Sequence, residues 1–261
     1  MDKGLIKVLN TEEFIERVKF LYSFYHHSNI YNYANYINLR TSGNVLYMSL
    51  SLILGEAVNV GLVRVYTEVE APELNTSLLV ENFYEAVSFI KEDAVLTLEI
   101  TSSALTLVST LGDKVNTYNM PVSTIDIPGR LTTDMNALST QPLRLFPLQE
   151  VQNIFKELAK EITDTTIEFA YKGLYMTQEH VYVTNGMRFT RSDLHLSEPY
   201  IFYFSDYLGK IFKMLDGPVM FAQADISDEP FVYMKSTGKE FYFQEWMGKK
   251  RFPATKIDQL I

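Results

Sequence analysis

Residues 119–147 read NMPVSTIDIPGRLTTDMNALSTQPLRLFP, and this stretch decides how the chain divides. It holds four of the nine prolines: Pro121, Pro128, Pro142 and Pro147. Proline fixes φ and lacks a backbone donor, so the run predicts neither an interior strand nor an interior helix. Val122, Ile125, Ile127, Leu131, Met135 and Leu138 recur along it, which a purely solvated tether would not show. The pattern predicts an extended connector lying against a surface, near the middle of 261 residues.

The halves on either side, about 120–130 residues each, are large enough to bury their own cores. A composition 47% hydrophobic and 21% charged is that of an ordinary globular protein. Most of the aromatic residues fall in alternating runs, where Phe and Tyr are packing residues of strands. The absence of cysteine excludes a disulfide frame, a thiolate nucleophile and Cys-based metal sites. The start, MDKGLIKVLNTEEF, lacks the apolar core of a signal peptide. Ser49, Ser51, Glu56, Asn59 and Arg64 interrupt the most apolar run, Val45 to Val69. It therefore predicts strands and not a membrane span. The expectation is a soluble intracellular protein of the cytoplasm or nucleus of the host cell, neither secreted nor membrane-bound. A protein that grips nucleic acid with its whole surface is basic. At a net charge of −9, any such contact must come from a local basic face.

Outward from the connector, one unit recurs. Thr11 as N-cap with Glu12 and Glu13 in the first turn opens TEEFIERVKFLYSFY, whose buried stripe is Phe14, Val18, Leu21 and Tyr25. A short strand, Leu5 to Leu9, precedes this helix. YINLRTS, NVLYMSLSL and GLVRVYTEVE follow it as alternating strands. SLLV then leads into a second helix carrying Phe83, Val87 and Ile90, followed by VLTLEI, ALTLVST and KVNTYNM. Beyond the connector, PLRLFP precedes the helix LQEVQNIFKELAKEI, with Val151, Phe155, Leu158 and Ile162 inward, and TTIEFAY, GLYMTQ and HVYVTNGMRF follow. PYIFYF precedes SDYLGKIFKMLDG, capped by Ser205 and ended by Gly217, with strands PVMFAQADI, FVYMKS and EFYFQEW after it. Strand–helix–strand–strand–strand thus occurs four times, with helices starting near residues 12, 82, 148 and 206. Helices burying one face on antiparallel sheets make an α+β layered protein.

With each apolar stripe on a sheet, the opposite helix face is free. Helix one exposes Glu13, Glu16 and Arg17, with Lys19 at the edge. Helix two exposes Asn82, Glu85 and Ser88 and no cation. Helix three turns out Gln149, Asn153, Lys156 and Lys160, and helix four Asp206, Lys210 and Lys213. Taken singly, such charges solvate a surface helix. Enzyme signatures are missing: His26, His27, His180 and His195 form no helical metal pattern. Asp225, Asp228 and Glu229 sit in a polar hairpin turn, which solvates better than it ligates. No GxSxG, P-loop or GxGxxG occurs, so no enzymatic activity, cofactor or metal is expected.

Two βαβββ units per domain, two domains and a long connector resemble the sliding clamps of the proliferating cell nuclear antigen type, including viral versions. STIDIPGRL sits where that family has its interdomain loop, MGKKRFPATKID resembles its ending, and YLGK puts Lys210 where the family carries a pore cation. The resemblance implies an α+β DNA-clamp fold with domains at 1–120 and 143–261 and a connector at 121–142. It implies a homotrimeric ring of six domains, with helices lining the hole. Double-stranded DNA passes through, held by sequence-independent Lys/Arg–phosphate contacts. The cations carried over are Arg17, Lys19, Lys156, Lys160, Lys210 and Lys213. DNA polymerase and other replication proteins would dock short peptides in a groove of Asn44, Val45, Ile125, Ile127, Pro128, Leu131, Phe252, Pro253 and Ala254. Subunits would join through edge strands holding Ala104, Leu105, Leu107 and Leu111, and Leu174, Met176, Val181 and Val183. A clamp loader is a further implied partner. The acidic second helix departs from the family and motivates an alternative: a clamp-like interaction scaffold or inhibitor that does not encircle DNA.

Overall fold

Asn10, not Thr11, caps the first helix. Its backbone is extended (φ −132°, ψ 102°) and its Oδ1 accepts from the Glu13 amide at 3.0 Å, satisfying one of the orphan N–H groups of a helix start. Thr11 is the first residue of α1 (Thr11–Tyr22), and its hydroxyl donates to the Ala94 carbonyl at 2.7 Å. The computed structural model describes residues 4–25, 27–28, 31–53, 60–146, 148–149, 151–153, 173–176, 179–184, 189–193, 200–202, 211, 213–226 and 229–244.

In the first half the expected element order is complete. It runs β1 (Gly4–Val8), α1, a 3-10 turn at Asn32–Asn35, β2 (Tyr36–Ser42), β3 (Val45–Ile53) and β4 (Val60–Glu70). It then repeats as β5 (Asn75–Leu79), α2 (Val80–Ser88), β6 (Val95–Ile100), β7 (Ala104–Leu111) and β8 (Lys114–Pro121). After α3 (Gly129–Ser139) come β9 (Arg144–Phe146), helical residues at 148–149 and 151–153, β10 (Gly173–Met176), β11 (His180–Thr184) and β12 (Phe189–Asp193). β13 (Tyr200–Phe202), helical residues at 211 and 213–214, β14 (Val219–Ile226), β15 (Glu229–Ser236) and β16 (Lys239–Gln244) complete the chain. The strand expected at residues 165–171 and the cap expected at Ser205 lie outside the described residues.

The chain forms two compact units, Met1–Ala137 with Gly238–Phe243, and Leu138–Thr237 with Gln244–Ile261. In the first, the antiparallel strands run β8-β7-β6-β1-β4, and β4 also carries β16 and, through β3 and β2, β5. β4 is the seam. It pairs with β3 from Val45↔Glu68 to Ile53↔Val60, with β16 from Lys239↔Val65 to Phe243↔Gly61, and with β1 at Val8↔Val69. Gly61 permits the β16 contact, because a Cβ there would sit 2.8 Å from the Tyr242 carbonyl oxygen.

Alternation along β16 sends neighbouring side chains to opposite faces. Phe241 packs edge-on against Phe20 and Phe24 of the α1 segment, with ring centroids 5.8 and 5.5 Å away. Phe14 of α1 meets Phe83 of α2 at 6.2 Å, so both helices lie over this core. On the other face the Tyr242 hydroxyl donates to Asp134 Oδ2 at 3.2 Å. Burial, then the Asp134 carboxylate, pushes the Tyr242 phenol pKa up. Arg64 lies opposite Glu240 in the β4–β16 register, pairs with it, and donates to Asn136 Oδ1 at 3.0 Å.

Asp134 and Asn136 belong to α3, which corrects the expected extended connector. Pro128 and Pro142 bracket a proline-free run, and Leu131, Met135 and Leu138 follow at i, i+4 and i+7. That is helical spacing, and all three are buried. Proline ends a helix from outside as readily as it breaks one from inside.

In the second unit β14 lies between β9 and β15. Phe146 packs edge-on against Phe221 at 5.5 Å, and the Ser236 hydroxyl donates to the Asp216 carbonyl at 2.6 Å. A separate antiparallel sheet runs β12-β11-β10-β13. Among the described residues no helix is long and apolar enough to cross a membrane.

Glu240 is 5% exposed, so Arg64→Met takes the ion-pair partner from a buried carboxylate and costs about 3 kcal/mol in urea denaturation, much of it recovered in Arg64→Met/Glu240→Met. Gly61→Ala forces β4 and β16 apart and costs about 1–3 kcal/mol by the same measurement.

Candidate nucleic-acid and partner interfaces

The outer face of α1 is set by what its inner face buries. Phe14, Ile15, Val18 and Leu21 point into the core, leaving Glu12, Glu16 and Lys19 exposed. Arg17 does not share that exposure. Its side chain is 11% exposed and its Nη2 donates to Glu13 Oε1 at 3.0 Å, the i, i+4 pair with the acid on the N-terminal side. It packs against Gly238, whose φ of +69° suits glycine, and a Cβ there would run into the guanidinium. Arg17 is thus a structural cation of the first unit. Lys19 makes no ion pair among the described residues.

α2 exposes Glu81, Asn82, Glu85 and Ser88. Where the two helices meet, Tyr22 and Tyr84 stack with centroids 3.6 Å apart, and the Tyr25 hydroxyl donates to Glu81 Oε1 at 3.4 Å. Burial, reinforced by the Glu81 charge, raises the Tyr25 pKa to about 12. This helix face therefore carries more carboxylates than free cations. Lys213 is exposed in the second unit. Lys156, Lys160 and Lys210 lie outside the described residues.

The expected peptide groove is divided. Ile127 and Leu131 are buried at 6% and 7% exposure, Ile125, Pro128 and Val45 are half-buried, and Asn44 is exposed. Ile127 and Leu131 thus serve the unit's own core. Phe252, Pro253 and Ala254 lie outside the described residues. The connector's start is held by groups that the sequence reading did not single out. The Ser123 amide donates to the Ser77 carbonyl at 2.8 Å, and Asn38 Nδ2 reaches Asp126 Oδ1 at 2.9 Å. Asn38 is buried although its neighbours Ile37 and Leu39 are too. A polar residue inside a continuous apolar run was the available signal.

Beside this anchor a cleft of 710 Å³ opens between the connector, the start of β5 and the β6–β7 turn. Pro72, Leu74, Ile100 and Val122 supply its apolar walls, with Glu73 and Asp126 as its acids. Among the described residues no group of three or more His, Cys, Asp or Glu could hold a metal ion.

The expected interface strands need correction. β7, with Ala104, Leu105, Leu107 and Leu111, is bonded to both β6 and β8. β10, with Leu174 and Met176, lies between β11 and β13, and β11, with Val181 and Val183, between β10 and β12. A strand bonded on both sides has no edge to offer. Among the described strands the open edges are β8 and, apart from the Ser77–Ser123 bridge, β5 in the first unit, β9 in the second, and β12 and β13 in the four-stranded sheet. β8 is exposed along most of its length, Val115 included, and Phe89 stacks on its Tyr118 at 6.1 Å.

No protein-family model matches the chain, and no curated protein sequence matches it. Solved structures do. The DnaN sliding clamp (DNA polymerase III subunit beta) from Bartonella birtlesii, bound to griselimycin, superposes with a TM-score of 0.69 at 13% identity, over 95% of this chain and 66% of that one. The DNA polymerase III subunit beta from Pseudomonas aeruginosa gives 0.70 at 9% identity, over 93% and 65%. The Helicobacter pylori beta clamp bound to a DNA ligase peptide gives 0.68 at 13%, over 94% and 67%. The chain spans 66% of the length of the first of these clamps. With helices over antiparallel sheets in twice-repeated βαβββ order, this chain has the DNA sliding-clamp fold.

Proposed function

We propose that the chain is a sliding clamp that encircles duplex DNA without reading its sequence and tethers a DNA polymerase and other replication proteins. The observation that carries this is the match to DNA clamps over 95% of the chain at a TM-score of 0.69. Two units per chain suit a ring of six from three copies, joined by the open edges β8 and β12. Lys19, Lys156, Lys160, Lys210 and Lys213 face the duplex as phosphate contacts, each adding about one unit to the salt slope of binding. Arg17 takes no part, being paired with Glu13. Partners dock short peptides at the connector, Ile125 and Pro128 with Asn44 and Val45, and at Phe252, Pro253 and Ala254. The Helicobacter clamp's ligase peptide supports this mode of docking. The chain performs no chemistry of its own, and a clamp loader opens the ring.

A second reading, a clamp-like scaffold or inhibitor that does not surround DNA, is favoured by one observation. The described helix faces of the first unit expose Glu12, Glu16, Glu81 and Glu85 against one free cation, Lys19.

Mass photometry is expected to show particles near three times 30.1 kDa, retained on closed circular DNA and released when it is cut. Lys156→Glu with Lys210→Glu is expected to shorten retention while leaving the particle mass unchanged. A stable monomer at micromolar concentration overturns the ring. A trimer that never stays on circular DNA yet captures a polymerase favours the scaffold.

A further inference from the structure

The cleft beside the connector has a chemical bias that its structural role leaves unused. Asn38 offers two amide protons, yet four oxygens surround its Nδ2: Asp126 Oδ1 at 2.9 Å, Asn75 Oδ1 at 3.0 Å, and the Thr76 carbonyl and Ser77 Oγ at 3.3 Å each. With two protons Asn38 can serve only two of these four oxygens, and Asp126 Oδ1 also accepts from the Ile127 amide at 2.7 Å. Asp126 Oδ2 and both oxygens of Glu73 make no hydrogen bond or ion pair among the described residues. No Lys, Arg or His is among the residues lining the cleft.

The backbone adds a second bias. β5 is bonded to β2 along one edge, and its other edge meets the connector at the single Ser77–Ser123 bridge. The Ser77 carbonyl accepts from Ser123 on that outer edge, so the two-residue period of a strand turns the Asn75 peptide group toward the same edge, into the cleft. An extended chain laid there finds a backbone partner at Asn75, apolar walls at Pro72, Ile100 and Val122, and carboxylates at Glu73 and Asp126.

We propose that this cleft binds an extended segment of a partner protein in which lysine or arginine alternates with small apolar residues. The backbone adds to β5 while the cations meet Glu73 and Asp126. Charge complementarity selects this occupant over an acidic or purely apolar peptide. All lining residues belong to the first unit, so the site stands whether or not the chain closes a ring on DNA.

The test uses the full chain and a fluorescein-labelled hexapeptide, Val-Lys-Val-Lys-Val-Ser, read by fluorescence anisotropy at low salt. Saturable binding is expected, with none for the Glu-for-Lys peptide. Glu73 makes no hydrogen bond or ion pair among the described residues, so Glu73→Gln is expected to keep the unfolding midpoint and weaken binding about fivefold. Thr124→Lys, which places a cation on an exposed lining position, is expected to abolish binding. Equal binding of both peptides, no saturable binding, or indifference to both substitutions overturns the proposal. So does a saturable calorimetric signal with calcium chloride that Asp126→Asn removes, because the oxygens would then serve a metal ion. Ring formation and DNA retention are measured separately, so neither result decides the other.

Discussion

The pairing of β4 with β16 joins segments far apart in sequence, Arg64 and Glu240 being 176 residues apart, and the first unit is built on both its faces. Gly61 lets the strands meet where any Cβ would press on the Tyr242 carbonyl. Register then places Arg64 opposite Glu240. On one face Phe241 closes the aromatic core under α1. On the other, Tyr242 and Arg64 hold α3 through Asp134 and Asn136. A buried ion pair contributes little net stability against an apolar pair, but it penalises every register that leaves one partner alone. The seam thus specifies the fold more than it strengthens it.

That architecture constrains what the helix faces can do. Arg17 stands on the right helix for a phosphate contact, but Glu13 and the tight turn at Gly238 hold it as a packing cation. Lys19 remains, with Glu16 one position short of a turn away on the same helix, near enough to offset part of its attraction for an anion. A duplex near this face meets a weak field that is screened within about 8–10 Å at physiological salt. A net charge of −9 further weakens any attraction for an anion elsewhere on the surface.

The connector divides its side chains between the core of its unit and an open cleft. Ile127, Leu131 and Met135 are buried within the unit. Each such side chain contributes about 1.5–3 kcal/mol relative to exposure, which a visiting peptide cannot also claim. Asp126, exposed and fixed by Asn38, marks the side where the connector leaves space open.

The sequence by itself determined element type and order. YINLRTS became β2 residue for residue, and the Phe83–Val87–Ile90 stripe became the buried face around α2, because periodicity and turn residues are local properties. It also held the helical spacing of Leu131, Met135 and Leu138, which the flanking prolines masked. Only the tertiary structure decided which strands have free edges, since β7 and β8 look alike until their partners are known. It alone showed Arg17 to be paired and packed, and Asn38 to be the anchor of a segment 88 residues away. Whether a polar side chain faces solvent or a buried partner depends on what long-range pairing brings beside it, and no local pattern carries that information.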